Sequence, residues 1–365
     1  LPKTIPTEGY TCDNRHFLYY GITDSTIHAL VANSPIGINL DIQELRCQSC
    51  HATFSARRHT AFSHLKTSSK SITLVLAAMA KGLSIAAAVR VFGFAESTIT
   101  TWLTRAGMHS QRFHRHTVQG LALEHVQLDE LRTSLRQKGH EVWLCLALDT
   151  KTKLIAAAHL GPRTQASAHA LIHSLTRVLA PGYIPALTSD GLNLYFYSLT
   201  AYFGTWVNHL QSKKQDWQVA ASPLYGQLIK SYRRRKLARV ERVMHTGSLD
   251  ALQAQLQNAG WSGLLQSAFV ERVNLTTHRG LAMLARRSWP TAQTVPQLQD
   301  GFAWWRAYYY FVKPHESLRL ELATLGPRRG KRLSQRYQQR TPAQAAGLTN
   351  HRWTVVELIS SPVPA

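Results

Sequence analysis

The chain has 365 residues, 44% hydrophobic and 17% charged, which suits a folded protein with a sizeable core and excludes a disordered one. Lys and Arg total 42 against 20 Asp and Glu, a formal net charge of +22, so a polyanionic partner is expected and nucleic acid is the first choice. No apolar run approaches the roughly 20 residues of a spanning helix, so no membrane partner is expected.

Residues 1–10 show no secretory pattern. The four cysteines, two of them in a Cys-x-x-Cys pair, do not make a disulfide framework, and a reducing, cytoplasmic setting is expected. Cys47-Gln48-Ser49-Cys50 forms a knuckle whose two thiolates can reach one Zn²⁺, and Thr53-Phe54-Ser55 follows as a strand. Structural zinc takes four ligands in a tetrahedron. Cys12 is the third, and His16 is the choice for the fourth, with His51 as rival. The alternative is a pair of free thiols. Zinc would supply the folding energy that so small a unit lacks. Residues 1–66 therefore read as a zinc-ribbon-like domain.

Residues 67–108 read as a helix-turn-helix domain. Helices are expected over residues 71–81, 85–92 and 96–106, broken by Gly82 and Gly93 and closed by Gly107, with Ser84 capping the second. On the last helix, Thr98, Thr101 and Arg105 are placed to face a DNA groove, while Ile99, Trp102 and Leu103 face the core. A helical bundle without a DNA role is the alternative. Residues 109–124 are expected to be a basic linker. His109, His114 and His116 lack metal-ligand spacing and read as solvated, phosphate-facing side chains.

The central segment predicts short strands over residues 126–128, 141–148 and 153–160, a helix over 167–179 and a strand over 184–188. Three strands, a helix, a strand and then a helix is the layout of a ribonuclease H-like α/β core, placed at residues 125–320. Asp129 and Asp190 fall at strand ends, and Glu271 falls in a segment with helical spacing. Together they form a constellation able to hold two divalent ions. Glu130 follows Asp129 directly, so on a strand its side chain points to the other face; it is left out with His125 and the turn residue Asp149. A strand ending in Arg233-Arg234-Arg235-Lys236 leads its basic end toward a phosphate backbone, with Arg272 and Arg279 near the same path. The aromatic run Trp304 to Tyr310 reads as a buried helix. Residues 321–365 form a basic extension, with a linker at 326–340.

Leu128-Asp129-Glu130-Leu131, Ser189-Asp190-Gly191 and Phe269-Val270-Glu271-Arg272-Val273-Asn274 resemble the corresponding motifs of DDE transposases of bacterial insertion sequences, nearest to the insertion-sequence-one-like members that begin with a zinc ribbon and helix-turn-helix. The tail blocks at residues 311–318 and 341–348 agree, and the resemblance runs from Cys12 to about Leu358. It implies a catalytic core of the retroviral integrase superfamily, DNA cleavage and strand transfer at insertion-sequence ends, and two Mg²⁺ ions, with Mn²⁺ as a substitute, on Asp129, Asp190 and Glu271. It also implies double-stranded DNA partners, the terminal inverted repeats and the target, and a homodimer on DNA. Asp129 takes the bridging role by the same resemblance. Two departures stand out. The first half of the zinc knuckle lacks its second cysteine, and His278 stands seven residues after Glu271 where such enzymes often carry Lys or Arg. A catalytically silent, DNA-binding descendant of such an enzyme is the alternative.

Overall fold

The computed structural model describes residues 6–37, 42–136, 140–208, 215–219, 223–262, 264–285, 292–325 and 336–363. The chain is mixed α/β and divides into two compact units: Leu1–His116 with Asp300–Val312 and Trp353–Ala365, and Thr117–Gln299 with Lys313–Arg352.

The first unit begins with an antiparallel sheet of β1 (Leu30–Ile36), β2 (Ile42–Cys47) and β3 (Thr53–Ser55) in that order. Its core is small: Tyr10, Leu30, Leu45 and Phe54 pack with Cys12 and Cys47. Three helices follow, α1 (Ser69–Met79), α2 (Ile85–Phe92) and α3 (Glu96–Thr117). Ser68 and Ser84 cap the first two by accepting from the backbone N–H of Ser71 and Ala87. Gly93 ends α2 at φ 73°, a left-handed conformation that a side chain resists. Ile99, Trp102 and Leu103 are buried, as their spacing predicts.

The expected helix end at Gly107 is wrong, because α3 continues to Thr117. Glycine serves a different purpose here. A Cβ on Gly107 would lie 2.5 Å from the Cα of Asp300, so the residue permits close approach of the helix that carries Asp300. Residues 109–116 are consequently helix and not linker. His109 is buried, with Nε2 3.3 Å from the Leu358 carbonyl oxygen, and the His114 ring lies 5.9 Å from that of Tyr310. Burial pushes the His109 imidazole down to about 4 and that of His114 below its ordinary range. Both pack against neighbours of this unit, so neither is the solvated linker side chain that was expected; His116 is exposed. The aromatic run is a buried helix, as expected. Its Trp304 Nε1 donates to the Leu76 carbonyl at 3.0 Å, so it completes the core of this unit and not that of the 125–320 segment.

The second unit is built on a six-stranded mixed sheet. Its strands are β4 (His125–Ser134), β5 (Glu141–Asp149), β6 (Ile155–Gly161), β7 (Ala186–Asp190), and, after a short antiparallel pair β8 (Gly204–Asn208) and β9 (Gln215–Val219), β10 (Tyr225–Arg233) and β11 (Lys236–Thr246). The order across the sheet is β11-β10-β7-β4-β5-β6. β4, β7 and β10 run parallel; the β4–β5, β5–β6 and β10–β11 pairs are antiparallel. The central strand β4 is longer than the expected 126–128 and places Asp129 in its middle. α4 (Gln165–Thr176) connects β6 to β7, and α5 (Leu194–Phe203) follows β7. α6 (Leu249–Asn258) packs Leu252 and Leu256 against Ala186, Leu228 and Leu265. α7 (Ala268–Gly280) carries Glu271, and a 3-10 turn at Ala282–Leu284 follows. α8 (Val295–Phe311) is the aromatic helix, whose residues from Asp300 onward belong to the first unit.

β12 (His315–Glu321) and β13 (Tyr337–Arg340) form a small antiparallel pair, then α9 (Pro342–Ala345) and α10 (Val355–Ser360) close the chain. Of the expected basic linker, residues 326–335 lie outside the described residues, and residues 337–340 are strand. No helix among the described residues is long and apolar enough to cross a membrane.

Candidate active site and cysteine cluster

The acidic site lies where one strand stops between two longer neighbours. β7 ends at Asp190, while β4 continues to Ser134 and β10 to Arg233. The last paired positions are Leu128 with Ser189 and Leu228 with Asp190. Past this point the sheet opens into a cavity of about 460 Å³, at the carboxyl ends of parallel strands where α/β sheets commonly bind ligands. Asp129, Asp190 and Glu271, distant in sequence, all line it.

Each acid is held by a local device. Asp129 Oδ1 accepts from the Glu130 N–H and Oδ2 from Asn274 Nδ2, both at 2.8 Å. Asp190 Oδ1 accepts from the Leu192 N–H at 3.1 Å, in the turn that leaves the strand. Glu271 is placed by the docking of α7 on β4. The buried Gln127 donates to the Gln266 carbonyl at 2.6 Å and accepts from the Val270 N–H at 2.9 Å, which pins the first turn of the helix. The Glu271 carboxylate is bonded by Lys230 Nζ and by Ser267 Oγ at 2.7 Å.

Glu130 belongs to the cluster, against the expectation from strand alternation. Carboxylate oxygens of Asp129, Glu130 and Asp190 lie within 4.8 Å of one another. The physical reason is the missing strand: beyond Asp190 no β7 backbone stands between the two faces of the sheet. The Glu130 side chain is only 2% exposed, and its Oε2 accepts from Arg163 at 3.1 Å. Arg163 also stacks on the Trp143 ring at 4.8 Å and lines the cavity.

The electrostatics follow from this crowding. Burial is the main cause that pushes the Asp129 carboxyl up to about 7; the charges of Asp190, Glu130 and Glu271 add to it, against the bond from the Glu130 N–H. Burial, reinforced by Asp190, also raises the Glu130 carboxyl. Burial pushes Glu271 upward as well, but the bonds from Lys230 and Ser267 outweigh it and hold this acid below the usual range. The oxygen-only donor set suits a hard divalent cation, which would relieve the repulsion that burdens Asp129. The residues present therefore fit such an ion.

Compared with known protein families and with curated proteins, the chain matches none.

The remaining expected site residues are placed as follows. Thr101 and Arg105 are exposed on α3 and Thr98 is half-buried; their spacing puts all three on one helix face. Arg233 and Lys236 face each other at the end of the β10–β11 hairpin, and Arg234 and Arg235 form its turn, all exposed. Arg272 and Arg279 are exposed on one face of α7. His278 instead turns inward, with Nδ1 against the Leu284 carbonyl. His125 bonds to Thr150 and Thr188 inside the sheet, and Asp149 accepts from Thr152 in its turn, so both are structural.

In the first unit, sulfurs of Cys12, Cys47 and Cys50 lie within 4.8 Å of one another, with Cys12 and Cys50 3.5 Å apart. Around one tetrahedral zinc, Zn–S bonds of about 2.3 Å imply sulfurs roughly 3.8 Å apart, so the three fit such an ion. Burial pushes the Cys12 thiol up to about 12, against the backbone N–H of Asn14, while the Ala52 N–H chiefly lowers Cys50. His16 is not part of this cluster. It is exposed, its N–H bonds to Asn14 Oδ1, and its ring nitrogens are not among the ligand atoms that cluster there. His51 is also exposed, with Nδ1 3.3 Å from Arg46, so neither histidine is brought to the site.

Besides Glu130, several contributors escaped the sequence reading, among them Gln127, Arg163, Lys230 and Asn274. Asn274 had a usable signal, because three residues after Glu271 is the same helix face. Gln127 and Lys230 had none, since their partners are distant in sequence.

Proposed function

We propose that this chain is a DNA phosphoryl-transferase, a DDE transposase with a ribonuclease H-like core that cuts and joins strands at insertion-sequence ends. The observation that carries the reading is the convergence of Asp129, Asp190 and Glu271 on one cavity. The strand order supports it too. Three antiparallel strands β6-β5-β4 continued by parallel β7 and β10, with α4 after the third strand, is the layout expected of that core.

Asp129 and Asp190 would hold Mg²⁺ with Glu271, and Glu130 adds a fourth carboxylate beside them. The bound ions would activate the attacking oxygen and stabilise the leaving one. The protein's own part is positional. Gln127 fixes the helix that bears Glu271, Asn274 orients Asp129, and Lys230 balances the charge of Glu271. Arg163, held by Glu130 and Trp143, presents a cation on the cavity wall where a phosphate would lie. Arg233, Arg234, Arg235, Lys236, Arg272 and Arg279 would contact phosphates, and Thr98, Thr101 and Arg105 a groove of the same DNA. Cys12, Cys47 and Cys50 would hold a structural Zn²⁺. A homodimer would bring two element ends together.

The test is strand transfer with purified protein, Mg²⁺ and labelled duplexes bearing the inverted repeats that flank the coding sequence, beside Asp190→Ala. Joining by the wild type and none by the variant is expected. Equal activity in both would remove the metal-site assignment. Tight binding of the repeats by a wild type that never cuts would favour the silent DNA-binding descendant instead.

A further inference from the structure

β10 and β11 leave the sheet as a two-stranded arm. β7 pairs with β10 only from Tyr225 to Leu228, whereas the hairpin runs on to the Arg233–Lys236 pair. Its turn consists of Arg234 and Arg235 at φ 51° and 65°. Positive φ at both central positions is what a tight two-residue hairpin turn demands, and Asn-Gly meets it comfortably. Two arginines there are strained, because the Cβ of an L-residue crowds the backbone in this conformation. Such strain points to selection for charge at the tip.

The arm has two faces, and the one turned toward the acids can be identified. Lys230 bonds to Glu271 on α7 and to Ser267, which precedes it, so its side chain lies on the α7 face. Tyr232 is two residues on and shares that face. It pairs directly with Leu237, next to a bulge at Ala238 where the register shifts. Tyr232 is 63% and Leu237 54% exposed, an unusual amount of apolar surface at the end of a cationic ribbon. Tyr232 also lines the cavity that holds Asp129, Asp190 and Glu271.

The chemistry of this face selects its occupant. A rim of Arg233, Arg234, Arg235 and Lys236 favours a polyanion and disfavours a basic copy of this chain. A flat aromatic ring inside such a rim is suited to a nucleobase, since every base has a face to stack while its phosphates meet the cations. Resting on the DNA reading given above, we propose that Tyr232, backed by Leu237, is a stacking platform for an unpaired base of the DNA strand that enters the acidic cavity. The arm would then recognise an opened strand end, and not only duplex phosphates.

The experiment compares binding of a blunt duplex and of the same duplex with a short unpaired 3′ tail carrying 2-aminopurine. It uses the full chain in Ca²⁺ to prevent cutting. Tyr232→Ala is expected to weaken tailed DNA about ten-fold and blunt DNA less than about two-fold. Wild type and Tyr232→Phe should quench the tail fluorophore, and Tyr232→Ala should not. Combined Arg233→Ala, Arg234→Ala and Arg235→Ala should weaken both DNAs alike. Equal losses on both DNAs for Tyr232→Ala, or no loss on either, would overturn the platform while leaving the transposase reading intact. Failure of the wild type to bind either DNA would overturn both. Because Tyr232 is exposed, an unchanged melting temperature will show that the variants fold.

Discussion

Asn274 Nδ2 donates to Asp129 Oδ2 at 2.8 Å, across 145 residues of sequence. The donor stands three residues after Glu271, so one face of α7 presents both an acid and an amide to the site. Partners that orient a metal ligand usually change metal affinity 10- to 100-fold when removed, by the general rule for such contacts. Asn274→Ala should therefore bind Mn²⁺ about ten-fold more weakly, with little loss of stability. Calorimetric titration of wild type and variant checks this.

Gln127 holds the first turn of α7 through two bonds, and it is buried. Gln127→Leu would leave the Gln266 carbonyl and the Val270 N–H without that partner. Each buried polar group so orphaned costs about 1–3 kcal/mol. A lower melting temperature, faster hydrogen exchange at Val270 and loss of strand cleavage are expected together. Retained cleavage would mean that Glu271 does not depend on this clamp.

Asp129 makes stability depend on pH. Its carboxyl titrates at about 7 in the fold, against an ordinary 3.8. Between those values the folded chain keeps a proton that the unfolded chain releases. Stability without divalent ion should therefore fall as pH rises from about 4 to about 7, then level off. Asp129→Asn should stabilise the protein by about 1–3 kcal/mol at pH 8 and by almost nothing at pH 4, the lower part of the range allowing for solvent at the cavity mouth. Urea unfolding at both pH values, with and without Mg²⁺, measures this, and Mg²⁺ should flatten the wild-type slope.

The cysteine cluster predicts one zinc per chain by elemental analysis. Cys47→Ser should lose the metal and the order of β1, β2 and β3, because the Tyr10, Leu30, Leu45 and Phe54 core is too small to persist alone. His16→Ala should keep the metal, since the exposed His16 lies outside the cluster.

Gly107→Ala should destabilise the first unit by about 1–3 kcal/mol, the usual cost of forcing atoms into a packed contact. The obstacle is backbone and Cβ of Asp300, which cannot rotate away. Thermal unfolding is the check, and an unchanged midpoint would contradict the tight helix contact.

Much of the local structure was legible in the chain. Ser84 and Gly93 announced the two ends of α2, and Thr53–Ser55 forms the strand its pattern predicts. Asp129, Asp190 and Glu271 could be picked out because strand and helix periodicities placed them at candidate site positions. Gly107 misled, because a glycine that ends a helix and one that admits a neighbour look the same until the neighbour is known. His109 and His114 after it were misread for the same reason, since their packing depends on Leu358 and Tyr310, far along the chain.

The sequence by itself determined several helices and strands, the acidic and thiol donors and the basic character, because periodicity, caps and side-chain chemistry are local properties. Only the tertiary structure decided which donors share a site. Strand alternation points Glu130 to the face opposite Asp129, and the early end of β7 at Asp190 opens the gap through which the two carboxylates still meet. His16 sits four residues from Cys12 and is still exposed and outside the cysteine cluster. Where a strand stops, and which way a turn points, depend on long-range packing, and a one-dimensional pattern does not contain that information.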